Sequence, residues 1–566
     1  MHQRHVAAAT AALTFALVAT TADAARFTRE PFLQLATPNS VTVAFRTDSA
    51  CAAQVRYGPN GGTSQVAENK GAATDHAIRL DGLSPATRYS YVVQACGSTL
   101  GATKSFVTAP ARGTRKVRFA AMGDFGMGNE AQAQVLASIV QNKPELLLGL
   151  GDIAYDAGSE QELQDHLFTP MAPLMAEVPL FAALGNHEYG TDQGQPTLDG
   201  LHQPSNNPQR TERYYSFDWG HVHFVALDST CAVGAATRDR CDRDAMLAWA
   251  KADLEQSRAP WKIVFFHHPL WSSGSHGSTL KMRAKYAPIF EATGVDLVLT
   301  GHDHDYERTK PMRGDGEASG TERGITYLVI GSGGARHRTF SGTKPNWSVY
   351  RDDLNHGYLD VTVAGGTLEA RMVTPAGAVL DSFSLRKTLP PEPALAAAAA
   401  PAKGTAPFTA QLTATPTGMD GAQVRWSFGD GAAGDGPQVS HVYAKPGSYE
   451  AIATATGADG TTLTQKVAIQ VDAAQAPHVE TTPAPGSGTG AGTTPSTGGT
   501  TPSTGGTTAT PAPATTGPKP TLSGSQPAAS ASSGKGGCQT TPGATALLPL
   551  SLALSAVLLR LRARAR

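Results

Sequence analysis

The sequence lacks an excess of either charge and is poor in cysteine, and each shortage narrows the field. Lysine and arginine number 46 against 47 aspartates and glutamates, a formal net charge of -1 over 566 residues. Such a balance gives no global field to steer the chain toward nucleic acid or an acidic membrane, so no nucleic-acid-binding surface is expected. Partners have to be read from local sites. The five cysteines do not have the spacing of a zinc cluster. They read as staples instead: Cys51 can pair with Cys96 and Cys231 with Cys241, each within one expected domain, which leaves Cys538 over.

The chain is too long for one core and should divide into several domains of roughly 100 to 200 residues. Residues 1–24 read as a secretory signal. Arg4 and His5 precede an apolar run from Val6 to Val18, and Ala22, Asp23 and Ala24 form a small-residue cleavage site. Residues 25–112 alternate apolar and polar side chains, as at Val41, Val43 and Phe45 and again at Tyr89, Tyr91 and Val93. That period predicts a small β-sandwich. Across residues 115–388, short apolar runs alternate with amphipathic stretches. Strands are expected at Phe119–Met122, Leu146–Leu150, Leu180–Ala183, Phe224–Leu227, Ile263–Phe266 and Leu297–Leu299, and helices at Glu130–Val140, Asp244–Glu255 and Met282–Glu291. This is an α/β layered pattern. Residues 393–472 return to alternating strands, where Val424, Trp426 and Phe428 lead into a Gly429-Asp430-Gly431 turn, a second β-sandwich.

Residues 473–537 are rich in Thr, Pro, Gly and Ser, with TTPSTGG at Thr493–Gly499 and again at Thr500–Gly506. They cannot bury a core and read as a disordered tether. Residues 538–566 carry an apolar run from Ala544 to Leu559, closed by Arg560, Arg562, Arg564 and Arg566. This is a stop-transfer pattern, though short for a stable span.

Five strings fall where an expected strand ends: GDFG at Gly123–Gly126, GDIAY at Gly151–Tyr155, GNHE at Gly185–Glu188, VFFH at Val264–His267 and GHDH at Gly301–His304. Ligands collect at such positions in α/β layers. Asp124, Asp152, Tyr155, Asn186, His267, His302 and His304 supply oxygen and nitrogen donors suited to iron, zinc or manganese. Seven donors exceed the needs of one ion. Two ions sharing a carboxylate would use them all, and a two-metal site is a standard device for in-line phosphoryl displacement. The glycines before the donors should let the backbone turn sharply and keep each donor close.

All five strings resemble the metallophosphoesterase superfamily, and the tyrosine of GDIAY narrows the resemblance to purple acid phosphatases. The resemblance implies an α/β metallophosphoesterase sandwich, flanked here by two β-sandwich domains. It further implies that Asp124, Tyr155 and His304 join Asp152 on Fe3+, while Asn186, His267 and His302 join Asp152 on a divalent partner, Zn2+, Fe2+ or Mn2+. His187 and His276 match family positions that contact phosphate or protonate the leaving alkoxide. As a general acid, either would need a raised pKa, which the cations oppose and bound phosphate and Glu188 favour. His268 reads as pocket lining or packing, Tyr306 and Glu307 as substrate-cleft wall, and Arg308 as a surface arginine with phosphate contact as its other reading. The stretch from Leu83 to Tyr91 resembles fibronectin type III and purple acid phosphatase N-terminal modules. WSFGDG and HVYAKPGSY, at Trp426–Gly431 and His441–Tyr449, resemble the PKD domain. The C-terminus resembles the sorting tails of myxobacterial surface proteins.

The expected activity is therefore hydrolysis of phosphate monoesters outside the cytoplasm, by a hydroxide generated at the metals. The substrate partner is a phosphate ester, and the tail adds transient membrane retention followed by cell-surface attachment or release. A phosphodiesterase or nucleotide hydrolase would use the same metals with a different cleft wall. An adhesion protein with a scaffolding metal domain is the rival from another class. The sequence specifies no oligomeric state.

Overall fold

The computed structural model describes residues 25–237 and 241–475. The signal segment, the tether beyond residue 475 and the tail with Cys538 lie outside the described residues. Among the described residues, no helix is long and apolar enough to cross a membrane.

The N-terminal region is a single five-stranded sheet rather than two separate ones. Its long strands Ser40–Pro59 and Gln65–Asp81 pair throughout, but their register shifts between Arg46 and Ala53. Before this break Ser40–Pro59 also pairs with Phe27–Gln34; after it, with Arg88–Ala95. One bent strand thus serves both faces of the expected sandwich, because a register break allows a local bend without ending the ladder. Cys51, inside the break, is disulfide-bonded to Cys96. The Tyr89 hydroxyl accepts the backbone N–H of Ser84 at 3.0 Å, closing the corner before strand Arg88–Ala95.

The central region has four layers. One sheet runs, in spatial order, Val379–Arg386, Thr367–Val373, Tyr358–Ala364, Lys116–Met122, Leu146–Leu150 and Leu180–Ala183. The other runs Ser348–Asp352, Tyr306–Thr309, Thr326–Ile330, Leu297–Thr300, Trp261–Phe265, Val222–Ala226 and Tyr215–Trp219. Their facing surfaces interlock through aromatics, with Phe119 edge-on to Phe224 at 5.2 Å and Phe181 stacked on Phe217 at 3.8 Å. Leu146–Leu150 is buried at every residue, as expected of a parallel strand covered on both faces. Helices cover the outer faces. Glu130–Asn142 buries Val135, Leu136 and Ile139 against the first sheet, and Arg243–Gln256 and Leu280–Thr293 bury Met246, Leu254 and Phe290 against the second. Asn129 caps the first helix by accepting the N–H of Gln132, and Gly294 ends the last at φ +74°. Cys231 and Cys241 form the second disulfide.

The apolar core of the N-terminal sheet and the inter-sheet core of the central region form one continuous cluster, from Leu33 and Val43 through Tyr91 and Phe106 to Phe119 and Phe224. Across the same boundary Tyr91 donates to the carbonyl of Ala176 at 2.9 Å, and Arg29 pairs with Glu160 at 2.7 Å. By contrast, the last region has a core of its own around Trp426, Phe408, Tyr443 and Ile469. It lies between a three-stranded and a five-stranded sheet. Gly429 there adopts φ +84°, and a Cβ would meet the carbonyl of Glu450 at 2.6 Å, so the turn requires glycine.

Candidate metal centre

Five parallel strands, Lys116–Met122, Leu146–Leu150, Leu180–Ala183, Trp261–Phe265 and Leu297–Thr300, end at the five strings. Their C-terminal ends from both sheets converge, so residues spread over 181 positions of sequence reach one place.

The seven candidate donors come together in two groups. The Tyr155 hydroxyl lies 3.1 Å from Asp124 Oδ1, 3.2 Å from Asp152 Oδ2 and 3.3 Å from His304 Nε2. On the other side, His267 Nε2 lies 3.1 Å from Asp152 Oδ2, 3.1 Å from Asn186 Oδ1 and 3.1 Å from His302 Nδ1. Asp152 Oδ2 belongs to both groups. Donor atoms of Asp152, His267 and His302 all fall within 4.8 Å of one another.

Second hydrogen bonds orient the rings. His267 Nδ1 lies 3.0 Å from the carbonyl of Leu150, and His304 Nδ1 lies 2.8 Å from the carbonyl of Arg336. A carbonyl can only accept, so each Nδ1 carries a proton and each Nε2 is the atom turned toward the centre, where a cation would take its lone pair in place of a second proton.

The glycines work differently from the expectation. The left-handed conformations belong mainly to the donors themselves, with Asp124 at φ +56°, Asp152 at +50° and His302 at +74°; of the glycines before them only Gly151 is left-handed. The other glycines make room. A Cβ on Gly185 would sit 2.1 Å from Asp152 Oδ1, and one on Gly301 would sit 2.3 Å from Asp124 Oδ2.

Charge argues for cations. Asp124, Asp152 and Glu188 are buried together, and among the described residues no lysine or arginine pairs with any of them. Uncompensated buried carboxylates are costly, and metal coordination is a usual remedy. Burial pushes Asp124 well above the usual carboxylate range. Burial also opposes ionisation of Asp152, but His267 and His187 outweigh it and hold this carboxyl below its usual value. Burial would lower His267, yet Asp152 and Asp124 raise it to about 10. The donor set thus fits a pair of cations, which would replace that proton.

Glu188 does not serve a histidine. Its oxygens accept four backbone N–H groups, from Asp152 at 2.9 Å, Gly185 at 2.7 Å, Ile153 at 2.8 Å and Ala154 at 3.1 Å. His268 is buried, with Nδ1 3.0 Å from Ser229 Oγ. Tyr306 and Glu307 are not cleft wall: Tyr306 is buried and donates to Asp381, and Glu307 accepts the N–H and hydroxyl of Ser273, both at 2.6 Å. Arg308 forms a two-pronged pair with Asp381, at 2.6 and 2.9 Å, and does not face the centre. The hydroxyl and guanidinium compete for one carboxylate on the neighbouring sheet, which draws both inward.

His187 and His276 lie on the open side. His187 Nδ1 is 2.5 Å from the carbonyl of Asp156, so its Nε2 is free and lies 3.9 Å from Asp152 Oδ2. The His276 ring stacks on His302 at 4.2 Å, and its Nε2 meets the guanidinium of Arg338. Arg338 escaped the sequence reading. It follows strand Thr326–Ile330, which runs parallel to Leu297–Thr300 and so ends on the same edge; that placement was the available signal.

Comparison with known proteins gives three family matches. Calcineurin-like phosphoesterase matches residues 117–306, iron/zinc purple acid phosphatase-like protein C matches 324–382, and PKD domain matches 389–471. Purple acid phosphatase 18 of Arabidopsis thaliana is 31% identical over 261 residues, covering 43% of this chain and 57% of that protein. Purple acid phosphatase 21 of the same plant is 29% identical over 305 residues, 50% and 65%. The chain therefore spans less than two thirds of either relative. A further relative, probable inactive purple acid phosphatase 1, is 26% identical over 275 residues, 43% and 44%. Among solved structures, the purple acid phosphatase from yellow lupin seeds aligns with a TM-score of 0.55 at 21% identity, covering 63% of this chain and 74% of that one. This likeness is one of fold.

Proposed function

We propose that this chain, which is similar to purple acid phosphatase-like metallophosphoesterases and carries a match to the PKD domain, is an exported hydrolase of phosphate monoesters that works with two metal ions. The observation that carries the reading is Asp152 Oδ2, 3.2 Å from the Tyr155 hydroxyl and 3.1 Å from His267 Nε2, a carboxylate oxygen placed to be shared. Asp124, Tyr155 and His304 would hold Fe3+ with Asp152. Asn186, His267 and His302 would hold the divalent partner, Zn2+, Fe2+ or Mn2+, with the same carboxylate. Two such ions supply Lewis acidity, activation of water and neutralisation of phosphoryl charge.

The chain's own groups do the rest. His187, with Nδ1 fixed on the Asp156 carbonyl, can carry a second proton only on Nε2, the atom facing the centre, and is the candidate acid for the leaving alkoxide. His276 accepts from Arg338 at Nε2, so that atom holds no proton to give; its part is contact with the substrate. Asp152 is oriented by the backbone N–H of His187 at 3.0 Å.

Export is the proposed setting, since two disulfides suit an oxidising compartment. The PKD domain would act as spacer or adhesion module. The test is metal content with rates on a monoester, a diester and nucleotides, for the metal-loaded chain and for Asp152→Asn. Two ions per chain, faster monoester cleavage and loss of both pairing and turnover in Asp152→Asn are expected. A single bound ion or dominant diester cleavage overturns the reading, and full metal loading without any ester hydrolysis favours an adhesion role.

A further inference from the structure

We propose that Arg338 is the specificity-determining residue of this centre, binding a free phosphoryl oxygen and so selecting phosphate monoesters over diesters. The inference rests on the hydrolase reading above and assigns its substrate preference to one side chain.

Residues 336–338 form a clamp around a candidate metal donor. The carbonyl of Arg336 faces His304 Nδ1 at 2.8 Å, His337 Nδ1 lies 3.1 Å from the carbonyl of His304, and the backbone N–H of Arg338 donates to that same carbonyl at 3.3 Å. The position of Arg338 relative to the donors is therefore set by main-chain contacts, not by a loose surface loop. From there its guanidinium reaches the Nε2 of His276, whose ring lies flat on that of His302. The arginine stands at the open side of the centre, next to one of the two groups already expected to meet substrate.

Its charge is unspent. Arg29, Arg118, Arg308 and Arg371 all pair with carboxylates, whereas among the described residues Arg338 has no carboxylate partner. Asp303, the acid next to the clamped His304 in sequence, is already occupied: Ser272, Ser275 and the backbone N–H groups of His276 and Gly277 all donate to it. A half-buried arginine whose guanidinium meets the ring of His276, with the carboxylate of Asp303 turned to other donors, is held ready for an anion from outside.

Chemistry then selects the anion. A phosphate monoester has three non-bridging oxygens and a diester two. If the two ions engage two oxygens, only the monoester keeps a charged oxygen for Arg338, where charge-assisted N–H···O bonds are the strong kind. A diester presents an esterified oxygen there and an alkyl or aryl group against the guanidinium.

The test uses the metal-loaded full chain, Arg338→Ala and Arg338→Lys. It reads metal content, the dissociation constant of inorganic phosphate by calorimetry, and kcat/KM on an aryl phosphate monoester and the matching diester. Arg338→Ala should keep both ions, bind phosphate about tenfold or more weakly, and lose at least as much on the monoester while the diester changes by less than about threefold. Arg338→Lys, which keeps the charge without the fork, should recover part of the phosphate affinity. Phosphate affinity unchanged within about twofold, or equal losses on both esters, overturns the assignment. If Arg338→Ala loses its ions, Arg338→Lys decides: an unchanged monoester-to-diester ratio overturns it. Should the unsubstituted protein bind phosphate through Arg338 yet cleave no ester, the hydrolase reading fails and the anion site stands; if it binds no phosphate, the inference fails.

Discussion

Glu188 accepts the backbone N–H of Asp152 at 2.9 Å, and through this bond the loop carrying GNHE holds the loop carrying GDIAY. The other three N–H groups on the same carboxylate complete a buried knot beneath the shared donor.

Replacing Glu188 by Gln puts an NH2 group where backbone N–H donors already point. Each oxygen accepts two of the four N–H groups, so two donors lose their acceptor, at a cost of about 1–3 kcal/mol each, and the Asp152 loop loosens. The expected outcome is a lower Tm for the metal-loaded protein together with weaker metal retention, measured by thermal unfolding and elemental analysis. Unchanged metal retention would show that the knot is not what positions Asp152.

Gly185→Ala tests the centre by space alone. Its Cβ would sit 2.1 Å from Asp152 Oδ1 and 2.3 Å from Asp152 N, and neither can move without shifting the candidate bridge. The variant should keep its far-ultraviolet circular dichroism while binding fewer than two ions per chain.

Tyr155→Phe removes one hydroxyl from between Asp124, Asp152 and His304. Iron-loaded protein should be coloured, because a phenolate on ferric iron absorbs in the visible; the variant should lose the band and retain some iron. A visible spectrum that survives the substitution removes Tyr155 from the donor set.

His223 offers a pH test remote from the metals. It lies between Asp218 at 2.7 Å and Asp253 at 2.8 Å; burial lowers its pKa, but the two carboxylates raise it to about 9. A folded pKa above the unfolded value of about 6.5 means the stabilisation is full below pH 6.5 and disappears as pH rises through 9. The shift corresponds to about 3 kcal/mol. His223→Gln should therefore lower stability strongly at pH 6 and little at pH 10, measured by denaturant unfolding at each pH.

The layered architecture was legible because parallel strands are continuous apolar runs. Leu146–Leu150 and Leu180–Ala183 were read from sequence with the bounds that the structure has. The strings at strand ends were legible for the same reason, since the topology brings those ends together. What the sequence hid were partners far along the chain. Tyr306 looks like cleft wall and Arg308 like a surface arginine until Asp381, on another sheet, draws both inward. Arg338 carries no motif, and only the clamp on His304 places it at the centre. The bend in strand Ser40–Pro59 was equally invisible, because alternation continues on both sides of the break.

The continuous apolar core joining the first two regions sets where this polypeptide can be cut. A recombinant shortened to begin near residue 115 would leave the carbonyl of Ala176 without Tyr91 and strip away part of the shared apolar core, and should aggregate rather than fold as a minimal unit. Severing near residue 388 instead passes through a seam with a separate core on its far side. In any exchange of parts between proteins, the bent sheet and the metal-bearing layers would have to travel as one unit, while the C-terminal sandwich brings its own core and would have to reproduce only polar contacts such as that of Arg112 with the carbonyl of Asp459.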